Sequence, residues 1–483
     1  MLLHLSTLLV TLCSVSSLPG LVQQDDPSKA ASAMVGDWEG AFEETAGASQ
    51  GIVWRFTLSA SGKLSGMMGP VQAGPVLPMA DLVVSATDLS FSLRGQGLFA
   101  GEISPEGIVG LWSEMDSSET AELNMTKVAF QEQTPRDFRG SDRTWLSTAE
   151  NRSSCVATGD LDGDGDLDIV IGNGRHWPQA NRIFFSNGRG RFTRSAPLGI
   201  SSDTTYMVTT VDIDGDGDLD ILVGNESLEN VIYLNDGKGA FSHGSTFGNT
   251  TSGVRDLVVM DLNADGKPDV IEFTRGDANT LYLNDGKGNL SKSGTIGANR
   301  DSIGAAVAGD LNGDGLVDLV LVDRDRGQNT IYMGAEQGFE EPFQFGRDGD
   351  ETHDVAIADM DGDGWMDIIS ASIGQPNQVH FGDETQTFSE MVEFGDDSRS
   401  YAIAVGDLDK DGHMDVVIGN QSSKNTAYFN NGDGRSFKRL VYGPKAFTYD
   451  IALGDFNGDG FLDVVAANSD GHNQYFMNAA SRR

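Results

Sequence analysis

The sequence predicts an all-β chain, a seven-bladed β-propeller with a small β-barrel or sandwich domain before it. Three observations carry that reading. A nine-residue phrase, D-x-[DN]-x-D-G-x-x-D, occurs seven times between Asp160 and Asp463, at successive intervals of 52, 49, 49, 49, 48 and 48 residues. Each copy runs directly into an apolar, mostly β-branched segment (IVIG, ILVG, VIEF, LVLV, IISA, VVIG and VVAA in order), which has the composition of a buried strand. About twelve residues further on, an Asn-led phrase with apolar and aromatic positions recurs, from NRIFF at Asn181 to NQYFM at Asn473. Four short strands in a unit of about 48 residues, repeated seven times, is the period of a propeller.

In chain order, residues 1–20 read as a secretory signal: the apolar run MLLHLSTLLVTLCSVSS ends in small residues, although no Lys or Arg precedes it. Residues 21–33 read as a polar linker and 34–130 as a separate all-β module. That module has short strands such as IVWRFTL, DLSFSL and IVGLW, with Trp38, Trp54 and Trp112 assigned to its core. Residues 131–137 form a second linker, and 138–483 hold the repeats. Within one repeat the order is strand A (VATG in the first), acidic loop, strand B, polar loop, strand C, turn, strand D. The turns NDGKGAF and NDGKGNL are hairpin signals. The chain stops soon after strand C of the seventh repeat, so the segment DRTWLST (142–148) is expected to supply the missing outer strand. With the signal removed, Cys155 is the one remaining cysteine, and no other apolar stretch approaches the roughly eighteen residues of a membrane span.

The acidic loop calls for a cation. Two carboxylates about 5 Å apart repel by about 1 kcal/mol in water and by more near a protein surface, so several in one turn oppose a compact fold unless something cancels their charge. The donors are all hard oxygens, which suits Ca²⁺ with its six to eight oxygen ligands better than Zn²⁺, copper or Mg²⁺. Positions 1, 3, 5 and 9 are assigned as side-chain ligands, and position 7 as a backbone carbonyl. The ligand sets are Asp160, Asp162, Asp164 and Asp168; Asp212, Asp214, Asp216 and Asp220; Asp261, Asn263, Asp265 and Asp269; and Asp310, Asn312, Asp314 and Asp318. The last three are Asp359, Asp361, Asp363 and Asp367; Asp407, Asp409, Asp411 and Asp415; and Asp455, Asn457, Asp459 and Asp463. Up to seven Ca²⁺ are expected, more weakly held where Asn replaces Asp at position 3. Position 6 is glycine in every copy, where the loop turns sharply with positive φ. An EF-hand is excluded, since it requires Glu at position 12 and flanking helices, and only Glu272 fits.

These loops and strand phrases resemble the FG-GAP or VCBS-type repeat family, in which calcium sits in the A–B loop of each blade, as in the integrin α-subunit head. The resemblance covers roughly residues 138–483 and implies a calcium-stabilised propeller that acts in binding or adhesion. The module before it is similar to β-domains that precede catalytic domains in many bacterial secreted proteins, and that likeness assigns it no chemistry.

The chain has 33 basic and 72 acidic residues, a net charge of −39, and the assigned ligand positions of the loops supply 25 of the aspartates. Even with the loops filled, the surplus argues against nucleic acid or an anionic membrane as partner. A specific ligand is expected on the face opposite the calcium loops, where the B–C loops are chemically uneven (GRHWPQ, ESLE, TRGD, DRDRGQ, SDGH) and the starts of strand A carry aromatic and charged residues. The candidates there are Trp177, Tyr206, Arg255, Asp256, His353, Asp354, Tyr401, Tyr449 and Asp450, a set suited to cradling a glycan or protein ligand. The expected function is a secreted, extracellular or periplasmic binding or adhesion module. The alternative is a secreted carbohydrate-active enzyme such as a polysaccharide lyase, with His353–Asp354 or Tyr449–Asp450 in acid–base roles.

Overall fold

A computed structural model describes residues 36–43, 49–58, 64–70, 77–85, 88–93, 97–104, 107–114, 120–127 and 136–481, apart from 200–201, 252, 298–301, 326–327 and 336–337. The signal expected over 1–20 and the linker over 21–33 lie outside these residues, as does the side chain of Trp38. No helix among the described residues is long and apolar enough to cross a membrane. The chain divides into two compact units, with the boundary between Glu132 and Gln133.

The first unit is one antiparallel sheet of nine strands: β1 (Gly36–Glu43), β2 (Ser49–Leu58), β3 (Leu64–Pro70), β4 (Leu77–Pro78), β5 (Ala80–Val84), β6 (Asp88–Leu93), β7 (Gly97–Ser104), β8 (Gly107–Glu114) and β9 (Thr120–Lys127). Their order is β4-β3-β2-β1-β9-β8-β7-β6-β5. Alternation builds the sheet: Leu89, Phe91 and Leu93 of β6 are buried while the residues between them are not. Trp54 packs edge-on against Phe91 and Phe99, with ring centroids 5.1 and 4.8 Å away, and Trp112 joins the same cluster.

The second unit is built of repeated four-stranded antiparallel sheets, an all-β arrangement consistent with a propeller. In the second repeat the strands are Thr205–Val211 (A), Asp220–Asn225 (B), Asn230–Leu234 (C) and Ser242–Phe247 (D), paired in that order. The third, fourth and fifth repeats give three more such sheets. The first, sixth and seventh merge into one ten-stranded sheet: Phe437–Gly454 is both D of the sixth repeat and A of the seventh, and Asn151 and Arg152 of the first pair with Gly471 and Ser469 of the seventh. Strand B is buried along its whole length in the first three repeats (Asp168–Asn173, Asp220–Asn225 and Asp269–Thr274), as its continuous apolar composition requires.

The Asn-led phrase has a geometric cause. In all seven repeats its asparagine accepts, through Oδ1, the backbone N–H at the end of strand B, as Asn181 does from Asn173 at 2.7 Å and Asn473 from Asn468 at 2.7 Å. The apolar side chains gather between sheets rather than within them. Each core cluster draws on two consecutive repeats, such as Val170 and Phe185 of the first with Val208 and Tyr233 of the second. The series ends with a cluster joining the seventh to the first, in which Val465 and Phe456 pack with Val156 and Ile169.

The missing outer strand comes from before the first repeat, but residues 142–148 add to it only an isolated bridge, Trp145↔Gln474, and the Leu146 N–H donated to Asn473 O at 2.9 Å. The strand itself is Arg136–Arg139 (β10), which pairs with Gln474–Ala480 from Arg136↔Ala480 to Arg139↔Met477. Pairing therefore starts two residues before the boundary read from the sequence. Residues Asp142–Thr144 instead form a 3₁₀ turn capped by the Ser141 hydroxyl, which accepts the Arg143 N–H. RDFR wins the position because Phe138 fills a pocket beside Tyr442, with ring centroids 4.9 Å apart, while Arg136 donates to the side chain and carbonyl of Asn478 at 2.8 and 2.9 Å. Truncating Phe138, which is 4 % exposed, is expected to cost about 3–5 kcal/mol. Urea unfolding of Phe138→Ala checks this, and a change below 1 kcal/mol would mean that β10 does not secure the seventh sheet.

Candidate metal loops and a candidate ligand pocket

The nine-residue loop folds around its first aspartate. Asp160 accepts the N–H of Gly163 at 2.8 Å and of Asp164 at 3.2 Å on one oxygen, and that of Gly165 at 2.9 Å on the other. The same three acceptances recur at Asp212, Asp310 and Asp455. The turn needs a left-handed residue at position 6, and all seven glycines there have φ between 80° and 97°.

The ninth aspartate does more than the sequence disclosed. In every repeat one of its oxygens accepts the N–H of loop position 2, and the other accepts an N–H just beyond strand C or at its end. Asp168 takes Leu161 at 3.1 Å and Ser186 at 2.7 Å, and Asp415 takes Leu408 at 2.9 Å and Asn430 at 2.8 Å. In four repeats the residue at the second place is Asn, whose amide then reaches the preceding repeat: Asn235 donates to Leu161 O at 2.9 Å, and Asn478 to Leu408 O at 2.7 Å.

In loops one, two, five and six, the aspartates at positions 1, 3 and 9 each offer an oxygen within 4.8 Å of the others. Buried Oδ1 atoms of Asp162 and Asp409 have no hydrogen-bond partner, as expected of oxygens placed for a cation. Such triads can bind metal ions, and hard oxygens suit calcium. In the absence of a cation, burial pushes Asp168 and Asp463 up to about 7 and Asp415 up to about 9; a divalent ion favours the charged forms instead. The position-5 aspartates stand outside the triads. Asp164 is exposed and accepts the Asp166 N–H at 3.0 Å. In two of the three loops with Asn at position 3, the amide uses its donor internally: Asn312 Nδ2 donates to Asp314 at 2.9 Å and Asn457 Nδ2 to Asp463 at 3.1 Å. In the third loop the Lys267 ammonium lies 3.0 Å from Asp265, where a cation would compete with it.

Strands A and B carry the other candidate site at their far end, about 20 Å from the loops by strand rise. In every repeat the register between A and B skips one residue of A, a β-bulge. The skipped residues are Ser154, Tyr206, Arg255, Gly304, His353, Tyr401 and Tyr449, and all seven line a single cavity of about 240 Å³. A bulge re-aims a residue out of the sheet's alternation, and here the effect recurs once in every repeat. Eight of the nine candidates read from the sequence reach this cavity: Tyr206, Arg255, Asp256, His353, Asp354, Tyr401, Tyr449 and Asp450. Trp177 does not. It is 62 % exposed, with the Arg152 guanidinium 5.7 Å from its ring. Arg175, His176, Arg275 and Arg324 also line the cavity and were not among the candidates read from the sequence, although the uneven B–C loops GRHWPQ, TRGD and DRDRGQ contained them.

The three aspartates of the cavity are struts. Asp256 accepts Leu257 N–H at 2.7 Å and, from the next repeat, Ala306 N–H at 2.8 Å. Asp354 does the same with Val355 and Ile403, and Asp450 with Ile451 and Val156. Burial pushes Asp256 up to about 6 and Asp450 to about 7. His353 is driven the other way, to about 3, by burial first and then by Arg324, so it is neutral. Its ring lies 4.1 Å from that of Tyr401, and its Nδ1 is buried without a partner.

A fold of repeated four-stranded sheets, with carboxylate loops at one end of its strands and a bulge-lined cavity at the other, defines a β-repeat protein of the metal-loop, binding-module class. Sequence comparison makes the assignment. The FG-GAP-like repeat model matches residues 160–223, 212–272, 261–321, 310–370, 359–418 and 407–466, and the chain belongs to that family. No curated protein matches it. Solved structures similar to it include BBS1N in complex with ARL6DN, soaked with mercury or with lead. Both are 13 % identical and cover 72 % of this chain, with 97 % and 98 % of those chains covered and TM-scores of 0.48 and 0.49.

Two outcomes are expected. Ca²⁺ at about a hundred times a loop's dissociation constant adds about 2.7 kcal/mol per site, so EGTA should lower the melting temperature by many degrees in calorimetry; no shift would refute the metal assignment. Asp450→Ala leaves two amides without an acceptor and should cost about 2 kcal/mol. Because the folded-state pKa of Asp450 is raised to about 7, its proton-linked stabilisation is full below the ordinary carboxylate range and is lost as pH rises through 7. The melting-temperature gap between wild type and variant should therefore shrink from pH 5 to pH 8, and a gap that widened would contradict the strut.

Proposed function

We propose that the repeats close into a seven-bladed propeller, stapled by calcium at one end of its strands, and that the chain is a secreted binding module taking a glycan or protein ligand in the central cavity. Ring closure draws support from the core clusters, which run from repeat to repeat and return from the seventh to the first. The nine-stranded first unit is read as a small barrel, supported by its aromatic cluster and by the contact between β3 and β5. Secretion rests on the apolar segment at residues 1–20 and calcium on the all-oxygen loops.

The observation that carries the binding reading is the ring of bulges: all seven repeats bring their skipped residue to the same cavity, six of them with a side chain and the fourth with Gly304. A pocket assembled from every repeat, with aromatic and cationic walls, has the convergent polar groups of a ligand site. Binding is favoured over turnover because Asp354 and Asp450 are committed to backbone amides and His353 is held far below the pH range of a general base.

A glycan panel and an extracellular-protein panel, probed with the calcium-loaded protein, test this. A genuine ligand should lose at least tenfold in affinity with Tyr401→Ala or Tyr449→Ala and be unaffected by Trp177→Ala. Ligands indifferent to both tyrosines would overturn the pocket assignment. Unsaturated chain ends released from a bound polysaccharide, and lost in His353→Ala, would establish the lyase alternative.

A further inference from the structure

The cavity is cationic in a strongly acidic chain. Four arginines, Arg175, Arg255, Arg275 and Arg324, line it, although the sequence has 33 basic against 72 acidic residues. Two are already neutralised: Arg255 lies 3.0 Å from Glu226 and Arg275 lies 2.8 Å from Asp325. Arg175 and Arg324 form no ion pair within 4 Å among the described residues, although Arg324 also helps hold Asp325 below the usual carboxylate range. Arg175 is stacked 3.9 Å over the Tyr449 ring and reaches only the Ser469 hydroxyl, at 3.4 Å. Arg324 reaches only the Tyr401 hydroxyl, at 3.5 Å. The Nε atoms of Arg175 and Arg255 are buried donors without acceptors, which the fold leaves for something else to satisfy.

The phenols extend the same chemistry. The Tyr449 hydroxyl accepts from Gln421 at 2.9 Å and that of Tyr401 from Arg399 at 3.1 Å, so the proton of each is free to be donated. Asp256, Asp354 and Asp450 do not cancel this character. Their oxygens are engaged with backbone amides, and none lies in an ion pair with the four arginines among the described residues. The walls thus offer donors and unpaired guanidinium charge, and they call for an acceptor-rich anion. The cavity, at about 240 Å³, is larger than a lone inorganic oxyanion needs, yet smaller than the roughly 300–1,000 Å³ of drug-sized sites.

We propose that the central cavity recognises an acidic saccharide unit, one sugar ring carrying an oxyanion, with Arg175 and Arg324 clamping the oxyanion and the Tyr401 and Tyr449 hydroxyls donating to ring oxygens. This rests on the binding-module reading and names its ligand class. Guanidinium forks match carboxylate and sulfate geometry, which a lysine would not do as well.

Titration calorimetry of the full chain in calcium, with galacturonate, glucuronate, galactose 6-sulfate, galactose, glucose and sodium sulfate, tests it. The acidic sugars should bind at least tenfold more tightly than the neutral ones and than sulfate alone; the carboxylate and sulfate-ester arms tell which oxyanion is preferred. Arg324→Gln and Arg175→Gln should each lower acidic-sugar affinity at least tenfold without moving the melting temperature. If one variant fails to fold, the other still decides. Equal binding of neutral sugars, unchanged binding in both variants, or binding of sulfate alone would overturn the anionic-sugar assignment. Binding of no saccharide would overturn it too, while the binding-module reading would stand on a protein ligand that is sensitive to Tyr401→Ala.

Discussion

The ninth aspartate of each loop is the contact on which the rest of the repeat domain depends. Its carboxylate spans two backbone amides, one at position 2 of its own loop and one at the end of strand C, in all seven repeats. A charged group buried this deeply is tolerated only when it is hydrogen-bonded and compensated. The amides supply the first condition, and the Asp160–Asp162–Asp168 arrangement is one that could hold a cation to supply the second. Where the strand-C residue is Asn, its amide carries the tie into the preceding loop, so one carboxylate organises a turn, a sheet and an interface between sheets.

The opposite end of the same strands is organised by a different device. The bulge after the first residues of strand A frees one residue per repeat from the in–out alternation, a side chain in every repeat but the fourth, and struts from Asp256, Asp354 and Asp450 pin three of the interfaces beside it. The two ends divide the work: residues that recur in every repeat hold the framework, and residues that differ between repeats face the cavity. The arginines concentrate at the second end. Stacked on tyrosines and shielded from the acidic loops by the length of the strands, they keep a positive site in a protein whose overall field is negative.

Much of the framework was legible because it recurs. The Gly at position 6 and the Asn that opens strand C each occur seven times, and each has one geometric cause; of the all-oxygen loop residues, positions 1, 3 and 9 cluster in four loops. The cavity was half legible: alternation places Tyr206, His353 and Tyr449 near the start of strand A, yet only the bulge decides that they turn inward. Arg175 and Arg324 come from B–C loops of unequal length, where no periodicity says which side chain folds back; Trp177, two residues from Arg175, points outward instead. The closing strand was misplaced by a few residues because DRTWLST has strand-like composition, whereas pairing followed the fit of Phe138 against Tyr442 and of Arg136 on Asn478. The double duty of the ninth aspartate was invisible, since its second amide lies about 15 residues away in sequence and is supplied by Ser, Asn or Gly without distinction.

Hydrogen exchange of the backbone amides, compared in calcium and after chelation, tests the central claim most directly. The amides bound to the ninth aspartates, such as those of Leu161, Ile213 and Leu408, should be protected in calcium and should lose protection together across the repeats when the metal is removed. Protection that survives chelation, or that fails in one repeat alone, would contradict a framework held by cation-compensated carboxylates.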